Sequence, residues 1–295
     1  VAPPTLLPPS LVGWPVEVSH DLDAVLPTLD VAYLLRMQQE RMTEHLVPSL
    51  REYTARFGLT LRRVDALRPD AIVVRHSSAG VPWQIAQWLD GRVSVVNAGD
   101  GWHEHPTQAL LDSYTIREER GSLDGLHIGI IGDVKHSRVA RSDVLAYTAL
   151  GATVTLVAPP TLLPPSLAGW PVTVSHDIDA VLPTLDVAYL LRMQQERMTE
   201  HLVPSLREYT ARFGLTLRRV DALRPDALVM HPGPMNRGVE ISAEVADLPR
   251  SVIIDQVRNG VATRMAVLYL LLGQGVDKVL GADDVTLPEL QEVVG

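Results

Sequence analysis

Apolar positions along this chain alternate between two spacings. Residues 127–133, 153–157, 172–175, 187–192 and 227–231 are short runs rich in Ile, Val, Leu and Ala, the length and residue type of buried strands. Between them, residues 137–150, 178–185 and 205–213 carry apolar residues at helical spacing, with Gly151 stopping the first. Upstream, residues 82–89 predict a short helix with proline in its first turn, and residues 93–97 a strand. Residues 107–120 predict an amphipathic helix with Leu110, Leu111 and Tyr114 on its apolar side, ended by a turn at Gly121. A Pro-rich stretch, 159–165, reads as a loop, and a terminal helix is predicted near 262–272. Such alternation predicts an α/β fold, a parallel sheet with helices on both faces, whose ligands bind at the carboxyl ends of strands.

The pattern also recurs. Residues 1–73 repeat 157–229, differing only at Val12/Ala168, Glu17/Thr173, Leu22/Ile178 and Ile72/Leu228. A solenoid repeats units of roughly 20 to 50 residues and lets them diverge; here two long copies flank an unrelated stretch, as a rearrangement would leave them. The second copy runs on from 132–157 and into His231, so Arg36 and Gln38 of the first copy read as stranded duplicates of Arg192 and Gln194.

Composition narrows the chemistry. A net charge of -9 argues against a nucleic-acid or anionic-membrane surface, so an anionic ligand needs a local basic pocket. Without cysteine there is no disulfide, thiolate metal site or thiol nucleophile, which suits a reducing compartment. The longest apolar run, residues 265–272, is far short of the roughly 18 to 20 residues that span a bilayer, and no Lys or Arg precedes Arg36. A soluble, cytoplasmic protein is expected. His103-Glu104-His105 lacks a third ligand at a metal spacing, so no metal is assigned. The segment Ile128-Gly129-Ile130-Ile131-Gly132 lacks the G-x-G-x-x-G spacing of a dinucleotide loop, and no cofactor is assigned either.

Five predicted strand ends carry polar residues. They are Arg75-His76, Asn97 to Gly101 leading to His105-Pro106-Thr107-Gln108, Gly132-Asp133 through Arg138, Arg192-Met193-Gln194, and His231-Pro232-Gly233-Pro234. Arg75, Arg138 and Arg192 converging on one cleft would bind a polyanion through guanidinium forks. Arg141, Arg207, Arg218 and Arg219 read as solvated surface charges. No nucleophile accompanies the cleft, which suits substrates that bring their own nucleophile and leaving group and need positioning and charge stabilisation.

The run Asn97-Ala98-Gly99-Asp100-Gly101, followed by His105-Pro106-Thr107-Gln108-Ala109-Leu110-Leu111-Asp112, resembles the signature of the aspartate/ornithine carbamoyltransferase family. Arg192-Met193-Gln194-Gln195-Glu196-Arg197 and His231-Pro232-Gly233-Pro234-Met235-Asn236-Arg237-Gly238 resemble its aspartate branch; the ornithine branch typically carries cysteine at the latter place. The resemblance spans about residues 70–280. It implies two parallel-sheet α/β lobes, the N-terminal one incomplete or rearranged. By it, 1–74 is a duplicated segment, 75–122 a remnant of a carbamoyl-phosphate domain, 123–260 an aspartate-binding domain and 261–295 a C-terminal helix and tail.

The resemblance further implies transfer of a carbamoyl group from carbamoyl phosphate to L-aspartate, a step of pyrimidine biosynthesis, by a homotrimer without cofactor. Arg75, His105 and Gln108 would hold carbamoyl phosphate, with backbone around Gly233 and Pro234 completing that pocket. Arg138 and Arg192, with Gln194 nearby, would bind the two aspartate carboxylates. The family's Ser-Thr-Arg-Thr-Arg box, and its Ser and Lys loop from a neighbouring subunit, are not found in this sequence. The alternative expectation is therefore a catalytically impaired chain acting as an anion-binding or assembly module.

Overall fold

Short polar signals at their N-termini start most of the helices. In the computed structural model, which describes residues 1–8, 10–29, 32, 49–58, 60–194 and 202–272, two compact units form. One holds residues 1–72 and 86–94, the other residues 73–85 and those from 95 on. The first contains α1 (Leu22–Val25), α2 (Leu50–Phe57) and α3 (Leu61–Leu67), whose leading N–H groups are accepted by the side chains of Asp21, Ser49 and Thr60. Strands β1 (Ala71–His76) and β2 (Ser94–Asp100) make a two-stranded sheet, with α4 (Val81–Leu89) between them in sequence.

The second unit continues with α5 (Pro106–Arg120), β3 (His127–Ile131), α6 (Arg138–Ala149), β4 (Thr153–Val157) and β5 (Val172–Ser175). It goes on through α7 (Ile178–Val181), β6 (Val187–Leu190), α8 (Leu206–Phe213), α9 (Leu217–Val220), β7 (Leu228–Met230), α10 (Ala243–Ala246) and α11 (Ile253–Leu272). Strands β3 to β7 form one parallel sheet in the order β5-β4-β3-β6-β7. Every residue of β6 and β7 is buried, as expected of strands covered on both faces, and they join β3, β4 and the surrounding helices in one apolar core.

Two predicted elements differ in detail. Helix α11 starts at Ile253 and not near 262, because its first turns bury polar residues. Gln256 donates to Asp112 Oδ1 at 2.7 Å, and Asn259 donates to Glu118 Oε2 at 2.7 Å, which hides the apolar spacing. On α5, Leu110 and Tyr114 are exposed, and the buried face runs through Gln108, Leu111, Asp112, Thr115 and Ile116. Arg219 is also not a surface charge. It is buried, pairs with Asp179 through Nε–Oδ1 at 2.7 Å and Nη2–Oδ2 at 3.0 Å, and donates to Gly214 O. Arg141 lies over the Trp170 ring at 5.9 Å, while Arg207 and Arg218 are exposed as expected.

The repeat separates local from long-range causes. Both copies form the turn at Pro4–Leu6 and Pro160–Leu162, the α1/α7 and α2/α8 helices, and the Asp23–Arg63 and Asp179–Arg219 pairs. Val172–Ser175 is strand β5, whereas the matching residues 16–19 form no strand. β5 pairs with β4, of which only Val157 belongs to the repeated segment, so the first copy repeats the sequence of the strand without that of its partner. Trp170 packs against the core while its twin Trp14 is 61% exposed. Arg36 and Gln38 lie outside the described residues, as do Gln195, Glu196 and Arg197.

Candidate active site

The sheet of the second unit reverses direction at β3. From there the chain moves outward through β4 and β5, then returns to place β6 and β7 on the other side. Loops leaving adjacent strands at such a reversal diverge and open a crevice at the carboxyl ends. The β3 loop ends at Ser137, whose Oγ caps α6 by accepting from Ala140 N, so Arg138 is the first helical residue. The β6 loop carries Arg192, Met193 and Gln194. Gln194 N donates to Asp133 Oδ2 at 3.3 Å, tying the two loops together. Burial raises the Asp133 carboxyl pKa, opposed by His136, whose Nδ1 lies 2.8 Å from Asp133 Oδ1. Asn236 Nδ2 donates to Met193 O, so the chain following Gly233 and Pro234 also braces the Arg192 loop.

A second group surrounds Gly99. Its φ of +113° is one that side-chain-bearing residues avoid, and the space a Cβ would fill is taken. Arg75 Nη1, Arg138 Cδ and His105 Cδ2 would stand 3.0, 3.1 and 3.2 Å from that atom. Arg75 Nη1 donates to Ala98 O at 2.8 Å and meets His105 Nε2 at 3.2 Å. His105 directly precedes Pro106, the first residue of α5, and its N–H donates to Ser142 Oγ on α6 at 2.9 Å. Burial, then the charges of Arg75, Arg138 and Arg264, lower its pKa to about 3, so the ring is neutral at physiological pH. The start of α5, a helix of 15 residues, also presents a partial positive charge at this point.

Gln108 follows one turn into α5, and its Nε2 donates to both oxygens of Asp112, at 3.1 and 3.2 Å. That leaves the Gln108 amide oxygen as the acceptor directed away from Asp112. Asp112 also accepts from Gln256 Nε2, and from the Tyr189 hydroxyl at 2.7 Å. Gln256 Oε1 in turn accepts from His231 N at 3.0 Å, and His231 Nδ1 accepts from Gly233 N at 2.9 Å. The Gly233–Pro234 bond is cis, and both residues face solvent.

Residues 124–271 match the model of the Asp/Orn binding domain of aspartate/ornithine carbamoyltransferases, and residues 41–118 match that of their carbamoyl-P binding domain. This chain belongs to the aspartate/ornithine carbamoyltransferase family. The aspartate carbamoyltransferase catalytic subunit of Acidothermus cellulolyticus is 56% identical over 222 residues, 75% of this chain and 68% of the relative. That of Parafrankia sp. is 58% identical over 214 residues, 72% of this chain and 69% of the relative. Among solved structures, aspartate transcarbamoylase from Trypanosoma cruzi with carbamoyl phosphate and aspartate superposes with a TM-score of 0.61 at 33% identity, covering 75% of this chain and 74% of that one. The same enzyme with N-(phosphonacetyl)-L-aspartic acid gives 0.63 at 32% identity, covering 75% and 73%.

In this carbamoyltransferase, Arg75, His105 and Arg138 gather around one glycine, and Gln108 connects through three hydrogen-bonded side chains to the Gly233 loop. Arg192 and Gln194 share the β6 loop, linked to the β3 loop by Asp133. The sequence reading named Asp112 in the signature and Asp133 at a strand end without giving either a role, and it missed Ser142, Gln256 and Glu240. Glu240 is buried against His231, at 3.2 Å from Nε2. Nothing in the spacing marked Gln256 or Glu240. Among the described residues no group of three or more His, Asp or Glu could hold a metal ion.

Proposed function

We propose that this chain transfers the carbamoyl group from carbamoyl phosphate to the amine of L-aspartate, giving N-carbamoyl-L-aspartate and phosphate. The arrangement of Arg75, His105 and Arg138 around Gly99 carries this reading. A carbonyl oxygen entering beside Arg75 accepts from its guanidinium, taking over the hydrogen bond that Arg75 gives His105 Nε2, and then from the imidazole in its Nε2–H tautomer; the two donors would hold the negative charge that develops on it. The Gln108 oxygen accepts from the carbamoyl N–H, with backbone at Gly233 and Pro234 closing the pocket. Arg138 and Arg192, with Gln194, receive the two aspartate carboxylates. The aspartate amine attacks the carbamoyl carbon, the bond from that carbon to the phosphate oxygen breaks, and the departing phosphate takes the amine proton.

Homotrimer assembly and a cytoplasmic location belong to the same reading. No helix among the described residues is long and apolar enough to cross a membrane. Light scattering of the purified chain checks the trimer.

A second reading has its own support: the stretch before Arg75 is the repeat of 157–229 and contains no Ser-Thr-Arg-Thr-Arg run. On that reading the chain binds aspartate or related anions without turnover. The deciding experiment measures N-carbamoyl-L-aspartate formed from carbamoyl phosphate and L-aspartate, with Arg192→Ala alongside. Product that disappears in the variant supports the transferase. Aspartate binding without product supports the second reading.

A further inference from the structure

Four titratable side chains are fully buried together behind Gln108, and the reaction just described uses none of them. They are Asp112 on α5, Asp143 and Tyr147 on α6, and Tyr189 on β6. Their hydrogen bonding is unequal. Asp112 is met by three donor groups, Gln108 Nε2, Gln256 Nε2 and the Tyr189 hydroxyl. Asp143 lies close enough to feel the charge of Asp112, but the donor nearest it, the Tyr189 hydroxyl, gives its hydrogen bond to Asp112 at 2.7 Å, which leaves the Asp143 oxygens and the Tyr147 hydroxyl without one of good geometry. A buried carboxylate keeps its charge only where donors replace the lost water, and two neighbouring carboxyls do not both ionise. The donors therefore decide which of the pair is charged.

We propose that Asp112 is the positioning residue of the carbamoyl site: its carboxylate, shared between the amides of Gln108 and Gln256, keeps the Gln108 oxygen toward the carbamoyl nitrogen and couples it to the Gly233 loop, while Asp143 carries the proton of the pair. The proposal rests on the function assigned above. Asp112 reaches Gln108 one helical turn back and, through Gln256 and His231 N, the Gly233 amide. An Asn at 112 has one amino group among three donors, so one of them must turn away. If Gln108 turns, it presents N–H groups to the N–H groups of the substrate. Burial raises the Asp112 pKa to about 6 against the hydrogen bonds it accepts. The charged and titratable groups facing it are Tyr189 from β6, Asp143 and Tyr147 from α6, and Arg264 from α11. Protonation of Asp112 converts one acceptor oxygen into a donor and releases the amides that share it.

The test begins without substrate, as a carbon-13 carboxyl titration of aspartate-labelled chain followed together with the side-chain amide signals of Gln108 and Gln256. The expected result is a raised carboxyl midpoint, near 6, that both amides track and that Asp143→Asn leaves in place, because a protonated Asp143 and an Asn are both neutral. Amides indifferent to the Asp112 titration, or an Asp112 that stays protonated through neutral pH, overturn the proposal. Calorimetry with carbamoyl phosphate near neutral pH is the second arm. Asp112→Asn is expected to weaken binding by about ten-fold or more, as for loss of a hydrogen bond to a charged group, while L-aspartate affinity in the presence of phosphate is kept. Equal carbamoyl phosphate affinity in a folded variant overturns the positioning role. Wild-type chain that shows the coupled titration but binds no carbamoyl phosphate overturns the functional reading and the role with it, and the intact titration tells that failure from the first.

Discussion

At the scale of single residues, burial and partners decide what each charged group does, and sequence spacing reveals neither. Arg192 follows β6 at the carboxyl end of the sheet, where the proposed function assigns it an aspartate carboxylate. Arg192→Ala is expected to abolish measurable aspartate binding in calorimetry while leaving carbamoyl phosphate binding intact. Asp143 makes the opposite kind of prediction. A buried carboxyl without a hydrogen-bond partner costs roughly 1 to 3 kcal/mol relative to an apolar group of similar size. Asp143→Leu should therefore raise the midpoint of chemical unfolding near neutral pH, with an unchanged denaturant slope. A lower midpoint would mean that Asp143 has a stabilising partner. Arg219 shows the same limit on inspection of sequence: its partner Asp179 is 40 residues away, and only the fold brings them to 2.7 Å.

At the scale of elements, the repeat gives the same sequence two environments. Capped helices and the nearby Asp–Arg pair recur in both copies because their causes lie within the repeated segment. Strand β5 does not recur, because its hydrogen bonds need β4 beside it. Helix and strand positions were accordingly legible wherever apolar spacing dominated, as for β3, α6 and β4. The start of α11 was not, since Gln256 and Asn259 put polar groups on its buried face. The candidate site divides along the same line: the signature from Asn97 to Asp112 and the strand-end arginines could be read, whereas the Asp112–Gln256–His231 connection spans residues far apart in sequence. Trp170→Ala should destabilise the chain by about 1 to 3 kcal/mol, and Trp14→Ala by less than about 0.5 kcal/mol, as for buried against surface substitutions. Differential scanning calorimetry of the two variants separates them, and equal losses would show that the first copy is as well packed as the second.

At the scale of the whole molecule, two buried groups of the site pull the acid stability of the fold in opposite directions. His105 has a folded pKa of about 3 against 6.5 when unfolded, so below pH 6.5 the unfolded chain binds a proton that the folded one refuses. Its contribution falls as pH drops from 6.5 toward 3. Asp112 is raised from 3.8 to about 6, so between those values the folded chain binds a proton that the unfolded one does not, and stability gains as pH drops through that window. Between about pH 4 and 6 the two slopes oppose one another, and each single variant exposes the other group. Relative to wild type, His105→Gln should become progressively more stable on acidification from 6.5, and Asp112→Asn progressively less stable from about 6. Comparing each variant with wild type at every pH removes the contribution of the remaining carboxylates, which both chains share. Urea midpoints across this range supply the measurement. Parallel curves for wild type and His105→Gln would show that His105 titrates as it does in the unfolded chain, and that the cationic pocket around Gly99 does not hold it neutral.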